Sequence, residues 1–517
     1  MANSPKHRDW ISRMYRLAAS AALALAVVLV SAVVTTQAAQ AQTVTTLYSF
    51  CSQSGCKDGE SLSSGLVQGP DGNFYGTTTG GGANNNASLC QNIGCGTVFR
   101  ITPTGELTTL YNFCSLTNCA DGNNPIAPLV LATDGNFYGT MPYGGAGSNC
   151  SLQDNPRRCG TIFRITPKGK LTTIYSFCSL TNCVDGDDPQ GSLIQAADGN
   201  LYGTTQYGGL YANGNNGTVF KITLSGTLTT LYSFCTVVHI NCDDGERPTV
   251  GLVQATNGDF YGTNDGGGAH NKGTLYKITP GGKLTTLHTF HGSADGEAPS
   301  GLAQAIDGKL YGTTYAGGAY GSGTVFSVTI GGTLTTLYSF CAQSGCPDGA
   351  NPQHGVVPAT DGNLYGTVNS AGPSGGNLFK ITPSGTLTTL YSFCQQSGCP
   401  DGNIPVGLVQ TTDGNFYGTT NAGGAHDGGT VFSLSVGLDP FVEILPAAGK
   451  VGSRVGILGT DLTGATSVTF NGVAATFTVV SPSLITTTVP ASATTGEVQV
   501  VTPSGKLSSN AAFHVVP

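Results

Sequence analysis

A Tyr-Gly-Thr triplet recurs along this 517-residue chain and constrains its fold more than any other feature. Recurrence at a roughly fixed spacing indicates an architecture built from equivalent units that pack side by side. In most copies Asp-Gly-Asn-Phe or Asp-Gly-Asn-Leu comes directly before the triplet. The seven copies begin at Tyr75, Tyr138, Tyr202, Tyr261, Tyr311, Tyr365 and Tyr417.

Each unit contains four short runs rich in β-branched and aromatic residues. A Gly-Leu-Val-Gln type run precedes the triplet run, and Gly-Thr-Val-Phe and Leu-Thr-Thr-Leu-Tyr-Ser-Phe type runs follow it. Asp-Gly-Asn joins the first run to the second, and Pro-Ser-Gly or Pro-Gly-Gly joins the third to the fourth. Both are hairpin signals. Each unit is therefore predicted to be a four-stranded antiparallel sheet.

The order of the runs at the two ends predicts how the units are arranged. Residues 43–436 hold seven units of about 56 residues, a length that fits propeller blades with loops. The N-terminal run, 43–50, is of the fourth type, whereas the last unit, 407–435, lacks a fourth run. We predict an all-β fold, a seven-bladed β-propeller whose N-terminal strand completes the last blade. An open solenoid is the alternative, but it would expose an edge strand at each end.

Residues 1–41 have the features of a cleaved signal peptide. Lys6, Arg8, Arg13 and Arg16 precede an apolar run at 17–34, and Ala39-Gln40-Ala41 suits a signal peptidase. An extracellular or cell-surface location follows, with no membrane span after cleavage. An uncleaved N-terminal anchor is the alternative, because the apolar run approaches the roughly 20 residues that span a bilayer.

The repeats stop near Asp439, and residues 440–517 have a different pattern. Short alternating runs such as Val468-Thr469-Phe470 and Val498-Gln499-Val500 are separated by turn signals. This pattern predicts an immunoglobulin-like β-sandwich. The segment contains no cysteine, so its apolar core alone must stabilise it.

The motifs of both regions resemble known families. The Asp-Gly-Asn-Phe-Tyr-Gly-Thr-Thr, Gly-Thr-Val-Phe-x-Ile-Thr-Pro-x-Gly and Leu-Thr-Thr-Leu-Tyr-Ser-Phe motifs of residues 43–436 resemble the tandem GloVer (Gloeo/Verruco) repeat of bacterial exported proteins, of the "choice-of-anchor" type. Residues 440–517 resemble an IPT/TIG immunoglobulin-like domain. The resemblance implies bacterial export and implies no particular reaction.

All 16 cysteines occur in closely spaced pairs. Six pairs follow a fourth run, and the fifth copy, 288–295, lacks both members, which indicates that the two cysteines of a pair act together. Two further pairs lie in the longest loops between second and third runs. Export favours oxidation over the alternative of zinc binding. We therefore predict eight intraloop disulfides: Cys51–Cys56, Cys90–Cys95, Cys114–Cys119, Cys150–Cys159, Cys178–Cys183, Cys235–Cys242, Cys341–Cys346 and Cys394–Cys399.

Connections alternate between the two rims of an up-and-down blade, so all the cysteines lie on one rim. We call this rim the cysteine face and the other the Asp-Gly-Asn rim. Variable loops on a rigid framework commonly bind ligands, so any ligand is expected at the cysteine face. Each blade-to-blade connection there carries an Asp-Gly step. For these aspartates, capping of a turn is the favoured role, and a cation site, for example for calcium, is the alternative. They are Asp58, Asp121, Asp185, Asp244, Asp295, Asp348 and Asp401.

Aromatic and imidazole side chains in or beside these loops are the other candidates. The tyrosines could stack on sugar rings and the histidines could bind a metal, whereas packing on a neighbour and simple loop variation are the structural alternatives. The ligand-face candidates are Tyr143, Tyr207, Tyr211, Tyr315, Tyr320, His270 and His426.

Composition and motifs narrow the function. Only 10% of residues are charged and the net charge is −8, which excludes a basic nucleic-acid footprint. The sequence contains no paired-carboxylate, nucleophile-elbow or phosphate-loop pattern. It predicts a non-enzymatic exported protein that binds a glycan or protein ligand, with no cofactor. The alternatives are an extracellular carbohydrate-active enzyme that uses the acidic face and a structural envelope component.

Overall fold

A four-stranded antiparallel sheet recurs seven times in the computed structural model, which describes residues 42–516 except 85–88, 91–92, 148, 151–157, 211–215, 236–241 and 372–374. The predicted signal peptide, 1–41, lies outside the described residues. Within them the secondary structure is β apart from two 3₁₀ turns, Thr117–Cys119 and Thr181–Cys183. This part of the chain contains no helix that is long and apolar enough to cross a bilayer.

The strands follow the predicted order, with the first strand of each blade innermost. Strand β1 (Thr43–Ser49) precedes the first complete blade. Blades one to three are β2 (Val67–Gln68), β3 (Phe74–Thr78), β4 (Thr97–Ile101), β5 (Leu107–Asn112); β6 (Val130–Leu131), β7 (Phe137–Tyr143), β8 (Arg158–Ile165), β9 (Leu171–Ser176); and β10 (Ile194–Gln195), β11 (Leu201–Thr205), β12 (Thr218–Ile222), β13 (Leu228–Ser233).

The remaining blades have the same plan. Blades four to seven are β14 (Val253–Gln254), β15 (Phe260–Asn264), β16 (Thr274–Ile278), β17 (Leu284–Thr289); β18 (Glu297–Gln304), β19 (Leu310–Ala316), β20 (Thr324–Val328), β21 (Leu334–Ser339); β22 (Val357–Pro358), β23 (Leu364–Val368), β24 (Asn377–Ile381), β25 (Leu387–Ser392); and β26 (Asn403–Gln410), β27 (Phe416–Ala422), β28 (Thr430–Ser435).

The Asp-Gly-Asn turn and the tyrosine that follows it form one hydrogen-bonded unit. In the first blade the Tyr75 hydroxyl donates to Asp71 Oδ2 at 2.9 Å, and the Asn73 side chain donates to the same oxygen at 2.7 Å. Five other blades repeat the tyrosine–aspartate bond, and the fourth has Asn257 in place of the aspartate. The Asp-Gly steps of these hairpin turns are therefore structural.

The triplet glycine makes room for an aromatic ring. A Cβ on Gly76 would lie 2.6 Å from Cζ of Phe99, so only glycine lets the ring of the third strand cover the second. The adjacent Tyr75 stacks on Phe137 of the next blade with ring centroids 4.1 Å apart. One Tyr-Gly step thus packs the interior of its own blade and the interface with the next.

A backbone hydrogen bond joins every blade to its neighbour near the cysteine face. A non-glycine residue with φ between 51° and 57° donates its N–H to the carbonyl that precedes the Gly-Thr-Val-Phe type run of the preceding blade, at N···O distances of 2.7–3.2 Å. The donor–acceptor pairs are Ser61 with Gly428, Asn124 with Cys95, Asp188 with Cys159, Arg247 with Asn216, Ala298 with Lys272, Asn351 with Ser322, and Ile404 with Gly375.

The glycine that opens each third run is required at this junction. Gly96 has φ 87°, and a Cβ there would lie 2.8 Å from Cδ of Pro125, which follows the donor Asn124 of the next blade. The prolines at 189, 248, 299, 352 and 405 repeat this contact, and Leu62 takes their place at the seventh junction. The Gly and Pro positions of successive units are therefore complementary.

The ring closes as predicted, and the alternative of an open solenoid does not apply. Strand β1 pairs antiparallel with β28, with Thr43 opposite Ser435, so the last sheet has the order β26-β27-β28-β1. The seventh blade also meets the first through standard junction contacts. Ser61 donates to Gly428, and Tyr417 packs on Phe74 at a centroid distance of 4.1 Å.

An immunoglobulin-like domain follows the propeller. Its core contains Val442, Ile457, Phe470, Val500 and Phe513. Its strands are β29 (Glu443–Leu445), β30 (Ala448–Lys450), β31 (Arg454–Leu458), β32 (Ser467–Phe470), β33 (Val473–Ala474), β34 (Phe477–Ser481), β35 (Leu484–Thr488), β36 (Val498–Thr502), β37 (Gly505–Ser508) and β38 (His514–Val516). They form two four-stranded sheets, β29-β31-β35-β34 and β33-β32-β36-β37, and one parallel pair, β30-β38.

This domain packs on the Asp-Gly-Asn rim. The hydroxyls of Ser481 and Ser483 donate to the carbonyl of Pro70 at 3.1 and 2.8 Å, and the Phe441 N–H donates to the Thr412 carbonyl at 3.0 Å. Leu458 belongs to the buried apolar cluster of the first two blades. The domain therefore contacts the rim opposite the cysteine face.

Removing residues 43–50 should destroy the closed ring. The deletion leaves β28 as an unpaired edge and removes Phe50, which is fully buried, so we expect oligomerisation and a large fall in melting temperature. Size-exclusion chromatography and calorimetry would measure both, with the chain that begins at Gln42 as control. A monomer with unchanged melting would contradict the closure.

Candidate functional site

Eight disulfides brace the loops of the cysteine face. Each joins two cysteines of one loop, in the pairs that the spacing predicts, and the described residues include no free cysteine. Neighbouring loops are also tied together, since the N–H groups of Gly59 and Gly82 both donate to the Cys56 carbonyl. The connection between blades and the long loop within a blade therefore meet on this face.

The seven Asp-Gly carboxylates of this face cap their own loops. Six accept a hydrogen bond from a tyrosine hydroxyl of the preceding outer strand at 2.8–2.9 Å. Asp121, for example, also accepts the N–H groups of Ser115 and Leu116 at 2.9 and 3.1 Å. Burial and the bond to Asp121 raise the pKa of Tyr111 to about 12. Each carboxylate is thus used locally, as the turn-capping interpretation expects.

Asp295 has different partners. His288 Nε2 lies 2.8 Å from its Oδ2 and His291 Nδ1 lies 3.2 Å from the same oxygen. Burial acts to raise the pKa of Asp295, but the hydrogen bonds from both histidines outweigh it and hold the pKa below its usual value. His270 also joins this group, with its ring centroid 4.3 Å from that of His291.

The other ligand-face candidates are spread around the ring. Tyr143 and Tyr207 are half-buried in the second and third blades, Tyr315 and Tyr320 are 40% and 55% exposed in the fifth, and His426 is exposed in the seventh. Tyr211 lies outside the described residues. The described candidates are divided among several blades, so they do not form one aromatic platform.

A central channel lies where the innermost strands of the seven blades meet. Its volume is about 870 Å³, and its wall is made of one short segment from each blade together with Asp265 and Tyr315. The segments are rich in Ser, Gly, Leu and Val and span 63–67, 126–129, 190–192, 249–252, 298–302, 353–356 and 407–409.

The channel has a polar mouth at the cysteine face. Arg247 Nε lies 3.3 Å from Asp265 Oδ1 and 3.7 Å from Glu246 Oε1. Burial raises the pKa of Asp265 to about 6, with Arg247 opposing the rise and Glu246 adding to it. In the wall, burial lowers the pKa of His354 to about 4, so its imidazole is neutral at pH 7.

Arg247 and Asp265 were not among the site residues predicted from the sequence, although the repeat pattern contains a signal for Asp265. Asp265 and Tyr315 occupy the same position of the repeat, one residue beyond Tyr-Gly-Thr-x, where the seven copies differ. The residues there are Thr79, Pro142, Gln206, Asp265, Tyr315, Asn369 and Asn421. Two of these varying residues, Asp265 and Tyr315, line the channel.

Fold and site together define a disulfide-braced, seven-bladed β-propeller that carries an immunoglobulin-like domain. The Gloeobacter/Verrucomicrobia repeat matches residues 31–239 and 234–432, and the IPT/TIG domain matches residues 441–515. The repeat covers more than half of the chain, so this protein belongs to the Gloeobacter/Verrucomicrobia repeat family.

Solved structures give only remote similarity. The extracellular domain of a hybrid two-component system from B. thetaiotaomicron is 12% identical, with 86% of this chain and 50% of that chain covered and a TM-score of 0.48. A PQQ-bound aldose sugar dehydrogenase from Streptomyces coelicolor is 13% identical, with 76% and 98% covered and a TM-score of 0.38. Similarity at this level transfers no activity. No curated protein matches the sequence.

If Asp121 only caps its turn, Asp121→Asn should destabilise the protein equally with and without calcium. The substitution weakens the charge-assisted bonds to Tyr111, Ser115 and Leu116, and we expect a loss of about 1–2 kcal/mol in unfolding free energy. Urea titration in calcium and in EDTA would measure it, and Tyr111→Phe, which removes one bond, should cost less. A calcium-dependent stabilisation that Asp121→Asn abolishes would instead indicate a cation site.

Proposed function

We propose that this exported protein is a non-enzymatic binding protein and that it captures a glycan at the mouth of the central channel on the cysteine face. A protein ligand is the other partner class that the sequence allows. The observation that carries the proposal is the contrast between an invariant repeat framework and the varied side chains that it presents around this mouth.

The size and chemistry of the channel support this function. Ligand pockets commonly enclose about 300–1,000 Å³, and the channel volume is about 870 Å³. Asp265 is the single charged residue among the described lining residues. A largely uncharged wall with a polar mouth suits a neutral, hydroxyl-rich ligand better than a charged one.

Nδ1 of His354, in the channel wall, is a buried polar atom that lacks a hydrogen-bond partner within the described residues. Buried polar atoms are normally satisfied, so a ligand hydroxyl at this wall would supply the missing partner. Tyr315 also lines the channel and is 40% exposed, so its ring could stack on a sugar.

Two further features favour binding at the cysteine face. The immunoglobulin-like domain contacts the opposite rim, through bonds from Ser481 and Ser483 to Pro70. Disulfides brace six of the seven blade connections on the cysteine face, and rigid loops lose less entropy when a ligand binds. Eight disulfides also favour an oxidising compartment, in agreement with secretion or display at the cell surface.

Tyr315→Ala should weaken ligand binding about tenfold, the loss typical of an aromatic anchor. A glycan and protein array probed with the chain from residue 42 would identify the ligand, and calorimetry with that ligand would measure affinity. Tyr320→Ala is the matched control, because Tyr320 is exposed in the same blade but is not part of the channel wall.

Two results together would overturn the assignment of the binding face. They are equal ligand affinity for wild type and Tyr315→Ala, and loss of binding after a change on the Asp-Gly-Asn rim such as Ile306→Asp. Binding to no array member would favour the third class, a structural envelope component.

One observation favours the second candidate function, a carbohydrate-active enzyme. A carboxyl group with a pKa near 6 is divided between its two protonation states near neutral pH, which suits a general acid or base. Asp265 has this property at the channel mouth.

If the protein hydrolyses a bound oligosaccharide, Asp265→Asn should lower kcat at least 100-fold and remove a pH-rate limb near 6. Product chromatography across pH 4–8 would measure this. Asp259→Asn, in the fourth-blade turn of the opposite rim, is the control. Substrate binding without product, at every pH, would exclude this candidate and leave the binding function intact.

A further inference from the structure

The loop between the fourth and fifth blades has lost its disulfide and gained histidines at equivalent positions. His288 replaces the tyrosine that caps the Asp-Gly carboxylate in the other six copies, and His291 replaces the first cysteine of the pair. The second cysteine is absent, and Asp295 follows Phe290 by five residues, whereas Asp58 follows Phe50 by eight. Both substitutions put a metal-binding side chain where the other loops have a phenol or a thiol.

These side chains meet in the folded protein. One ligand atom each from His288, His291 and Asp295 lies within 4.8 Å of the other two. Oδ2 of Asp295 is 2.8 Å from His288 Nε2 and 3.2 Å from His291 Nδ1. In a tetrahedral zinc site, neighbouring ligand atoms are about 3.3 Å apart, so small side-chain rotations would bring the three atoms to a common ion.

The surroundings leave space for a fourth ligand. His291 is 57% exposed, whereas His288 and Asp295 are 22% and 12% exposed, so the group opens to solvent on one side. The ring centroid of His270, in the loop between the second and third strands of the fourth blade, lies 4.3 Å from that of His291. Glu297 is not part of the set, because it forms an ion pair with Lys272.

We propose that His288, His291 and Asp295 bind a divalent transition metal of the zinc class, with His270 or water as fourth ligand, and that this metal braces the one blade connection that has no disulfide. Two imidazoles and a carboxylate are a donor set that zinc prefers, whereas calcium requires an all-oxygen site. The metal would link the loop 290–295 to strand β17 and, through His270, to the neighbouring loop.

The competing explanation is a purely local hydrogen-bond network. His288 would then simply substitute for tyrosine as the partner of Asp295, and the loop would need no metal. The two explanations predict different outcomes for one substitution, His288→Tyr. His288→Tyr restores the tyrosine–aspartate bond of the other six loops but removes a metal ligand.

Zinc titration of the chain from residue 42 tests the proposal. Isothermal calorimetry should show one equivalent bound, zinc should raise the melting temperature, and cobalt in its place should give the visible absorption of a tetrahedral nitrogen–oxygen site. His288→Tyr and His291→Ser should each weaken zinc binding at least tenfold. His426→Ser is the matched control, because His426 occupies the equivalent loop position beside the Cys51–Cys56 disulfide.

The control should bind zinc as tightly as the wild type. The proposal fails if wild type binds no zinc, or if His288→Tyr and His291→Ser bind it unchanged. If His291→Ser fails to fold, His288→Tyr alone decides, since its melting temperature without metal should match that of wild type treated with EDTA.

Discussion

The blade junction is the contact on which the rest of the structure depends. At every junction a residue in a left-handed conformation donates its N–H to the preceding blade, and the next residue, usually proline, packs against a glycine that has no Cβ. A non-glycine residue at positive φ costs free energy, so this geometry persists only because the neighbouring blade holds it. Ser61 and Gly428 make the same contact where the ring closes, so all seven junctions are equivalent.

A constant framework of this kind allows the cysteine face to vary. The same blade connection is held by a disulfide and a tyrosine–aspartate bond in six copies, and by His288, His291 and Asp295 in the remaining one. In each case these contacts stabilise a polar loop that has little apolar surface to bury. Within this framework Tyr315 and Asp265 line the central channel.

Contacts between residues that are close in the chain could be predicted from the sequence, whereas contacts between distant residues could not. Hairpin turns and cysteine pairs involve residues close in the chain, so Asp71 with Tyr75 and Cys114 with Cys119 could be predicted from spacing. The channel mouth joins residues of different segments, such as Arg247 with Asp265, and repeat spacing does not indicate which side chains meet there. The described tyrosine candidates, Tyr143, Tyr207, Tyr315 and Tyr320, are distributed over three blades.

The sequence by itself determined the number of blades, the strand order and the closure, because periodic turn signals and a displaced fourth run leave one arrangement without exposed edges. Only the tertiary structure decided which polar groups act locally and which converge. Each Asp-Gly carboxylate bonds to a tyrosine or histidine of the strand that leads into its loop, whereas His270 reaches His291 from another loop. Such convergence depends on the ring geometry, which sets the distance between loops that are remote in sequence.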